Sequence, residues 1–94
     1  MEADRYQQVT VVAGKLMEQG YVVFSPITHS HPVARAYPLP CTWEFWQNQD
    51  FTFLSVCWKV FLLTLDGWQT SVGVTAEIAE AERLGIPVEY LRWR

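Results

Sequence analysis

The chain is 94 residues long, half of its residues are hydrophobic and 18% are charged, and its formal net charge is -3 at pH 7. This length has room for one hydrophobic core, so we expect a single domain over residues 1–94. The composition excludes a disordered tail. The chain lacks the clustered Lys and Arg residues that bind a nucleic-acid polymer. The longest apolar run, residues 60–65, is too short to span a membrane.

The first half of the chain predicts a helix, a strand and a long loop. Apolar residues recur every three or four positions over residues 3–19, which predicts a helix that ends at Gly20. The apolar run at residues 21–24 is rich in strand-forming residues and predicts a buried strand. Residues 25–41 contain four prolines and two histidines, which predicts a long loop.

The second half predicts alternating helices and strands. Thr42 can cap a helix that runs to about residue 56. Residues 60–65 are apolar on both faces, which is typical of the middle strand of a parallel sheet. Ser71 can cap a helix over residues 72–84, and residues 86–91 predict a last strand. This alternation predicts an α/β fold of three layers, doubly wound around a mostly parallel sheet.

The start of the helix at residues 72–84 is the first candidate site. Ligands of open α/β sheets bind at the carboxyl ends of strands, close to helix N-termini. Ser71 would point its hydroxyl at the free amides of the first turn, and Gly73 would let a ligand approach the backbone. Glu77 lies roughly 9 Å further along the helix. Its side chain leans back towards the helix N-terminus, which places the carboxylate on the order of 6 Å from the anion. That spacing suits a phosphate at the amides and a carboxylate at the anomeric carbon of a ribose.

Several motifs resemble the nucleoside 2-deoxyribosyltransferase superfamily. They are Ser71-x-Gly73-Val74-x-x-Glu77 with Ile78-Ala79, Gly85-Ile86-Pro87-Val88, Val23-Phe24-Ser25-Pro26-Ile27, His29-Ser30-His31-Pro32, Trp43-Glu44-Phe45-Trp46, Asp50 and Leu65-Asp66-Gly67-Trp68. The chain is similar to the nucleoside 5′-monophosphate N-glycosidase branch, and it resembles more closely small bacterial proteins of the superfamily with no settled function. The resemblance covers nearly the whole chain. It implies a flavodoxin-like or Rossmann-like fold that cleaves or transfers N-glycosidic bonds.

The resemblance also implies roles for individual residues. Glu77 falls at the position of the nucleophile, and Asp50 falls at that of an acid that orients the substrate and serves in proton transfer to the leaving base. Ser71 falls at the position of a phosphate-binding serine, which favours a nucleotide over a bare nucleoside because a carboxylate there would repel phosphate. The further substrate-binding candidates are Gly73, Val74, Trp68, His29 and His31.

The chain departs from the superfamily at two places. The superfamily's first strand, which forms one wall of the sugar pocket and lies between the strands predicted at residues 21–24 and 60–65, has no counterpart here. We therefore expect a fold shortened at its N-terminus, with exposed sheet edges or a rearrangement. Trp58 follows Cys57, where an Asp is usual in the superfamily. The missing strand leaves open whether the isolated chain is catalytic.

Simpler interpretations of the candidate residues stay open. Glu77 and Asp50 would then be solvated helix acids, and Ser71 a helix cap and nothing more. His29 and His31 would be solvated loop residues. As an i, i+2 pair in an extended segment they would face the same way and could bind a metal, but no Cys or acid cluster completes such a site. We therefore expect neither a metal nor a cofactor.

Three functions follow from these alternatives. The first is an enzyme that acts on a small-molecule nucleoside or nucleotide, the second a non-catalytic nucleotide-binding module, and the third an interaction protein that forms a homo-oligomer through aromatic surface and an open sheet edge. Cys41 and Cys57 lack metal-type spacing and nothing resembles a secretory segment, so we expect free thiols in a reduced, cytoplasmic protein. The sequence does not define the base, the sugar or the acceptor.

Overall fold

The structure is a computed structural model that describes the backbone of residues 2–92 and the side chains of residues 5–92. Within these residues the elements are α1 (Glu2–Glu18), α2 (Pro26–Ala36), α3 (Trp43–Leu54), β1 (Val60–Leu63), a short 3-10 turn (Trp68–Thr70), α4 (Val72–Leu84) and β2 (Val88–Leu91). The chain divides into two compact units, the first up to Pro40 and the second from Cys41. No helix in the described part has the length and apolar character that crossing a membrane requires.

The first unit is a pair of helices with polar contacts between them. The Tyr6 ring of α1 stacks on the His31 ring of α2 with 4.3 Å between the ring centroids. The hydroxyls of Thr10 on α1 and Thr28 on α2 form a hydrogen bond of 2.9 Å. The helix predicted over residues 3–19 is confirmed as α1.

The strand predicted at residues 21–24 is wrong. Gly20 has a φ of 102°, and the Tyr21 amide donates a hydrogen bond to the Leu16 carbonyl, so the chain leaves α1 through a tight turn. Val22 is fully exposed, and the sheet of the described residues does not include this segment. A short apolar run becomes a strand only where a neighbouring strand accepts its hydrogen bonds, and composition alone does not supply that neighbour.

Most of the loop predicted at residues 25–41 is in fact helical. Ser25 precedes α2, and Pro26 is its first residue, where the fixed φ of proline suits a helix and its missing N–H is not needed. Pro32 lies inside α2, where it removes the hydrogen bond to the Thr28 carbonyl at a cost of about 3 kcal/mol. α2 packs against α1, and such tertiary packing supplies most of the stability of a helix in a folded protein.

The second unit has two strands with two helices packed together. β1 and β2 are parallel, with Val60 opposite Val88 and Leu63 opposite Leu91. α4 connects the two strands, and α3 precedes β1 and packs against α4. The buried apolar residues of this unit come from α3, β1 and α4, and they are Leu54, Leu62 and Ala81.

The predicted three-layer, doubly wound fold with a mostly parallel sheet is wrong. The sheet of the described residues has two strands, so β1 is not the middle strand of a larger sheet. Helices account for most of the described chain. The prediction counted residues 21–24 as a third strand and took the larger sheet from the alternation of elements and from the resemblance. The two strands that the sheet does contain, β1 and β2, are parallel.

Both ends of α4 form as the sequence predicts. The Ser71 hydroxyl oxygen accepts a hydrogen bond from the Val74 amide at 3.3 Å, which caps the N-terminus. Gly85 has a φ of 74°, a conformation that glycine adopts without strain, and the Ile86 amide donates to the Ala81 carbonyl at 2.8 Å. The two caps fix where α4 begins and ends in the chain between β1 and β2.

Replacing Pro32 tests whether α2 is a helix in solution. Alanine restores an N–H for the Thr28 carbonyl, so we expect Pro32→Ala to raise the free energy of unfolding by roughly 1–3 kcal/mol and to strengthen the helical circular dichroism. Pro38→Ala, in the connection after α2, is the control and should bring no such gain. A loss of stability in Pro32→Ala, as a loop would show, contradicts the helix.

Candidate functional site

Two carboxyl groups meet between α3 and α4. The side chains of Asp50 on α3 and Glu77 on α4 are hydrogen-bonded to each other. Asp50 lies on the same side of α3 as Trp43 and Leu54, which are seven residues before it and four after it. That side packs against α4, so the position of Asp50 along α3 brings its carboxyl group to Glu77.

Burial and the neighbouring acid change the protonation of Glu77. Loss of hydration is the largest cause that raises the pKa of Glu77, followed by the negative charge of Asp50 and by the hydrogen bond between the two carboxyls. Together they raise the pKa of Glu77 from 4.5 to about 8. At neutral pH the Asp50–Glu77 pair therefore holds one proton and has one negative charge, as is expected of two carboxyls in contact.

A contact between Trp43 and Gly73 sets the spacing of the two helices. A Cβ atom on Gly73 would lie 3.4 Å from Cε3 of the Trp43 ring, and that ring also packs edge-on against Phe51. Trp43 is near the start of α3 and Gly73 near the start of α4, while Asp50 and Glu77 meet further along both helices. The two helices therefore run side by side in the same direction.

This contact gives Gly73 a structural role that the sequence did not indicate. We predicted that a ligand would use the open side of Gly73, but the structure shows the Trp43 ring on that side. Trp43 lies seven residues before Asp50, and this spacing puts both residues on the face of α3 that packs against α4. This spacing is the sequence feature that indicates the contact of Trp43 with α4. The binding of a ligand by Gly73 stays a prediction.

The N-terminal turn of α4 offers hydrogen-bond donors close to the carboxyl pair in sequence. The amides of Val72 and Gly73 have no acceptor within the helix because the first turn of any helix leaves them free. The Ser71 hydroxyl accepts from Val74 and still has its own proton to donate. Such donors suit a phosphate. The capping role of Ser71 is confirmed, and its contact with phosphate stays a prediction.

Trp68 lies in the short turn before Ser71, in the same unit as the carboxyl pair. Its ring packs against the ring of Tyr90 on β2, with 5.4 Å between the centroids and a tilt of 57°. Tyr90 is half exposed and was not among the predicted residues. Trp68 and Tyr90 are 22 positions apart in the chain, so short-range sequence patterns do not indicate this contact.

His29 and His31 belong to the first unit. Both lie in α2, where residues two apart do not share a face, so the inference that they face the same way is wrong. His31 stacks on Tyr6, and the His29 ring lies 5.6 Å from that of Phe24. Across residues 5–92 no three His, Cys, Asp or Glu side chains come together in a way that could hold a metal ion. A substrate contact by either histidine stays a prediction.

The two cysteines are free thiols in the structure. Burial raises the pKa of the Cys57 thiol, which donates a hydrogen bond to the Phe53 carbonyl at 3.4 Å. A raised pKa keeps the thiol protonated and therefore a weak nucleophile. Cys41 is exposed.

Comparison with known proteins places the chain in one family. Residues 1–92 match the model of the family described as "Domain of unknown function (DUF1937)", and the chain belongs to this family. No curated protein and no solved structure matches the chain. The description of the family names no activity.

Replacing Glu77 by glutamine should change how stability depends on pH. The folded-state pKa of Glu77, about 8, lies above its ordinary value of 4.5. Folding therefore binds the proton more tightly, and the stability linked to this proton is complete below pH 4.5 and is lost as the pH rises towards 8. Glutamine can donate to Asp50 at any pH. Between pH 5 and pH 8 we expect Glu77→Gln to lose less stability than the wild type, by on the order of 3 kcal/mol.

Urea unfolding at the two pH values measures this difference. Glu82→Gln removes an exposed carboxyl from the same helix and should show the pH dependence of the wild type. If Glu77→Gln and the wild type lose equal stability between pH 5 and pH 8, Glu77 does not hold a proton at neutral pH.

A large side chain at Gly73 should force α3 and α4 apart. We expect Gly73→Leu to lower the free energy of unfolding by roughly 1–3 kcal/mol, since leucine cannot fit against the Trp43 ring. Gly14→Leu is the matched control, because Gly14 is also helical but has open space around it. It should be neutral or should stabilise the protein through better helix propensity. Equal effects of the two variants in thermal unfolding would contradict the role of the Trp43 contact.

Proposed function

We propose that this protein binds a nucleoside or a nucleoside 5′-monophosphate and cleaves or transfers its N-glycosidic bond, with Glu77 as the nucleophile. The observation behind the proposal is the Asp50–Glu77 pair, which holds one proton at neutral pH. Glycosyl chemistry with retention uses two carboxyl groups about 5 Å apart, one as an acid and one as a nucleophile, so the hydrogen-bonded pair has to open when the sugar binds. The motif resemblance to the nucleoside 2-deoxyribosyltransferase superfamily supports the same two residues.

The single proton of the pair suits the first step of this reaction. The proton shifts from Glu77 to Asp50 when the substrate binds, which leaves Glu77 as a carboxylate. An oxygen of Glu77 then forms a bond to the anomeric carbon while the bond from that carbon to the base nitrogen breaks. The electron pair leaves with the base, which takes the proton from Asp50. The products are a neutral base and a glycosyl ester on Glu77.

The second step restores the pair. A water molecule attacks the anomeric carbon, Asp50 takes a proton from that water, and the ester bond breaks so that Glu77 leaves as a carboxylate. Attack by a second base in place of water gives transfer instead of hydrolysis. These two steps need no cofactor.

The proposed substrate contacts lie at the start of α4. Ser71 and the amides of Val72 and Gly73 would hold a 5′-phosphate, because a hydroxyl and free amides favour an anion. Trp68 would stack on the base, and Val74 would contact the sugar. We also propose a cytoplasmic location, which the two free cysteines support.

A second candidate function is a nucleotide-binding module without catalysis. The observation that favours it is the protonation of Glu77 at neutral pH, since a protonated carboxyl is a poor nucleophile. A Glu77 proton and an Asp50 carboxylate are a donor and an acceptor, which together suit the hydroxyls of a sugar. Binding of a nucleotide without release of the base would distinguish this function from the enzyme.

Release of free base from deoxynucleoside monophosphates tests the proposed reaction. Chromatography should detect the base with the wild type. We expect Glu77→Ala to lower kcat by on the order of 10³-fold or more and Asp50→Asn to lower it by about 10²-fold or more, because each removes one chemical role. Glu82→Gln should leave the rate unchanged. No release with any common substrate, or equal release by Glu77→Ala, would contradict the proposal.

The same assay predicts a pH profile. The reaction needs the proton of the pair, and the pKa of Glu77 is about 8. We expect kcat/KM to fall above pH 8 by about tenfold per pH unit as this proton is lost. A rate that keeps rising through pH 9 would mean that the ionised pair is the active form, contrary to the proposed acid role of Asp50.

A further inference from the structure

Exposed aromatic residues line one side of α3, and Glu44, the exposed acid of this helix, lies on another side. Phe45 is 39% exposed and Phe53 is 40% exposed, and Val56, just beyond the helix, is 81% exposed. Together with the exposed Gln49 they follow one another at intervals of four, four and three residues, so they line one side of the helix. We name Phe45, Gln49, Phe53 and Val56 the α3 stripe. Phe53 is three residues after Asp50, so the stripe borders the side that brings Asp50 to α4.

We propose that the α3 stripe is the contact between two copies of this chain. In a two-fold contact both copies use the same surface. If one residue contacts a second residue of the partner, that second residue therefore contacts the first residue of the partner. Phe45 and Phe53 lie four residues before and four residues after Gln49, with nearly equal exposure. Two antiparallel α3 helices that cross at Gln49 place each Phe45 against the partner's Phe53.

The polar residue at the centre of the stripe fits the same arrangement. The two-fold axis would pass beside Gln49, so this side chain would meet its own copy. A glutamine side chain has both a donor and an acceptor, and two of them can hydrogen-bond to each other across the axis. An aspartate or lysine at this place would meet a like charge, and the chain has neither there.

The charge of the chain favours contact at this face. With a net charge of -3, two copies repel each other over most of their surfaces. Over residues 45–56 the one charged residue is Asp50, which is turned towards Glu77. Interface centres are poor in charged residues and rich in aromatic ones. An uncharged stripe offers no attraction to a basic or an acidic partner, whereas a second copy presents matching apolar surface.

The exposed area is of the size that a dimer needs. Phe45, Phe53 and the nearby Trp58, which is 69% exposed, together expose roughly 300 Å² if a whole aromatic residue has 150–250 Å². Val56 and the exposed polar residues between these rings add a comparable area. A standard interface buries about 800 Å² on each partner. Exposed residues of α3 and of the segment that follows it therefore supply roughly 600 Å² per copy, most of what a standard interface buries.

Sedimentation equilibrium of the full chain from micromolar to millimolar concentration tests the proposal. We expect a monomer–dimer equilibrium, which Phe53→Glu weakens by about 30-fold or more, as the loss of a central aromatic contact does. Val33→Glu is the matched control, since Val33 is 43% exposed on α2, and it should leave the equilibrium unchanged. A strict monomer overturns the proposal, and so does a dimer that Phe53→Glu leaves intact.

A cross-linking experiment gives a second readout that does not depend on how Phe53→Glu folds. In a Cys41→Ser background, which removes the exposed native thiol, we expect Gln49→Cys to form a disulfide-linked dimer on mild oxidation, because this position meets its own copy. Gln47→Cys, exposed on another side of α3, is the control and should stay monomeric. No dimer with Gln49→Cys, or an equal yield with Gln47→Cys, overturns the proposal.

Discussion

The hydrogen bond between the carboxyls of Asp50 and Glu77 is the contact on which the account of this protein depends. Two acids that are withdrawn from water repel each other unless a proton remains between them, so the fold itself keeps the pair protonated at neutral pH. The packing of Trp43 against Gly73 sets the distance between α3 and α4 at which this bond forms. A helix pair, rather than a strand end, therefore positions the carboxyl groups of Asp50 and Glu77.

The elements that the sequence predicts well are those with local signals at both ends. α4 has a serine cap and a glycine stop, and its bounds agree with the prediction. The prolines of residues 25–41 predict a loop where the structure has α2, although Ser25 followed by Pro26 is a common helix start. The number of strands in the sheet does not follow from the sequence pattern. Residues 21–24 have a strand-like composition, but only a partner in space makes a strand, and that partner is not encoded nearby.

In the candidate site, too, local sequence signals predict some features, and contacts between distant residues determine the others. Position at a helix start pointed to Ser71 and Glu77, and the motif resemblance pointed to Asp50. The protonation of Glu77 was not predictable, because it follows from burial against a residue 27 positions earlier in the chain. α3 contributes to both parts of the account. One side of this helix presents Asp50 to Glu77, and the neighbouring side presents the α3 stripe.

The most direct test is to follow the side-chain carboxyl carbon of Glu77 by NMR as the pH is raised. The account predicts a midpoint near the pKa of about 8 in the wild type. In Asp50→Asn the midpoint should fall but stay above 4.5, because loss of hydration is the larger cause of the shift and remains in that variant. A wild-type midpoint close to 4.5 would show that the two carboxyls do not share a proton, and the account would be wrong.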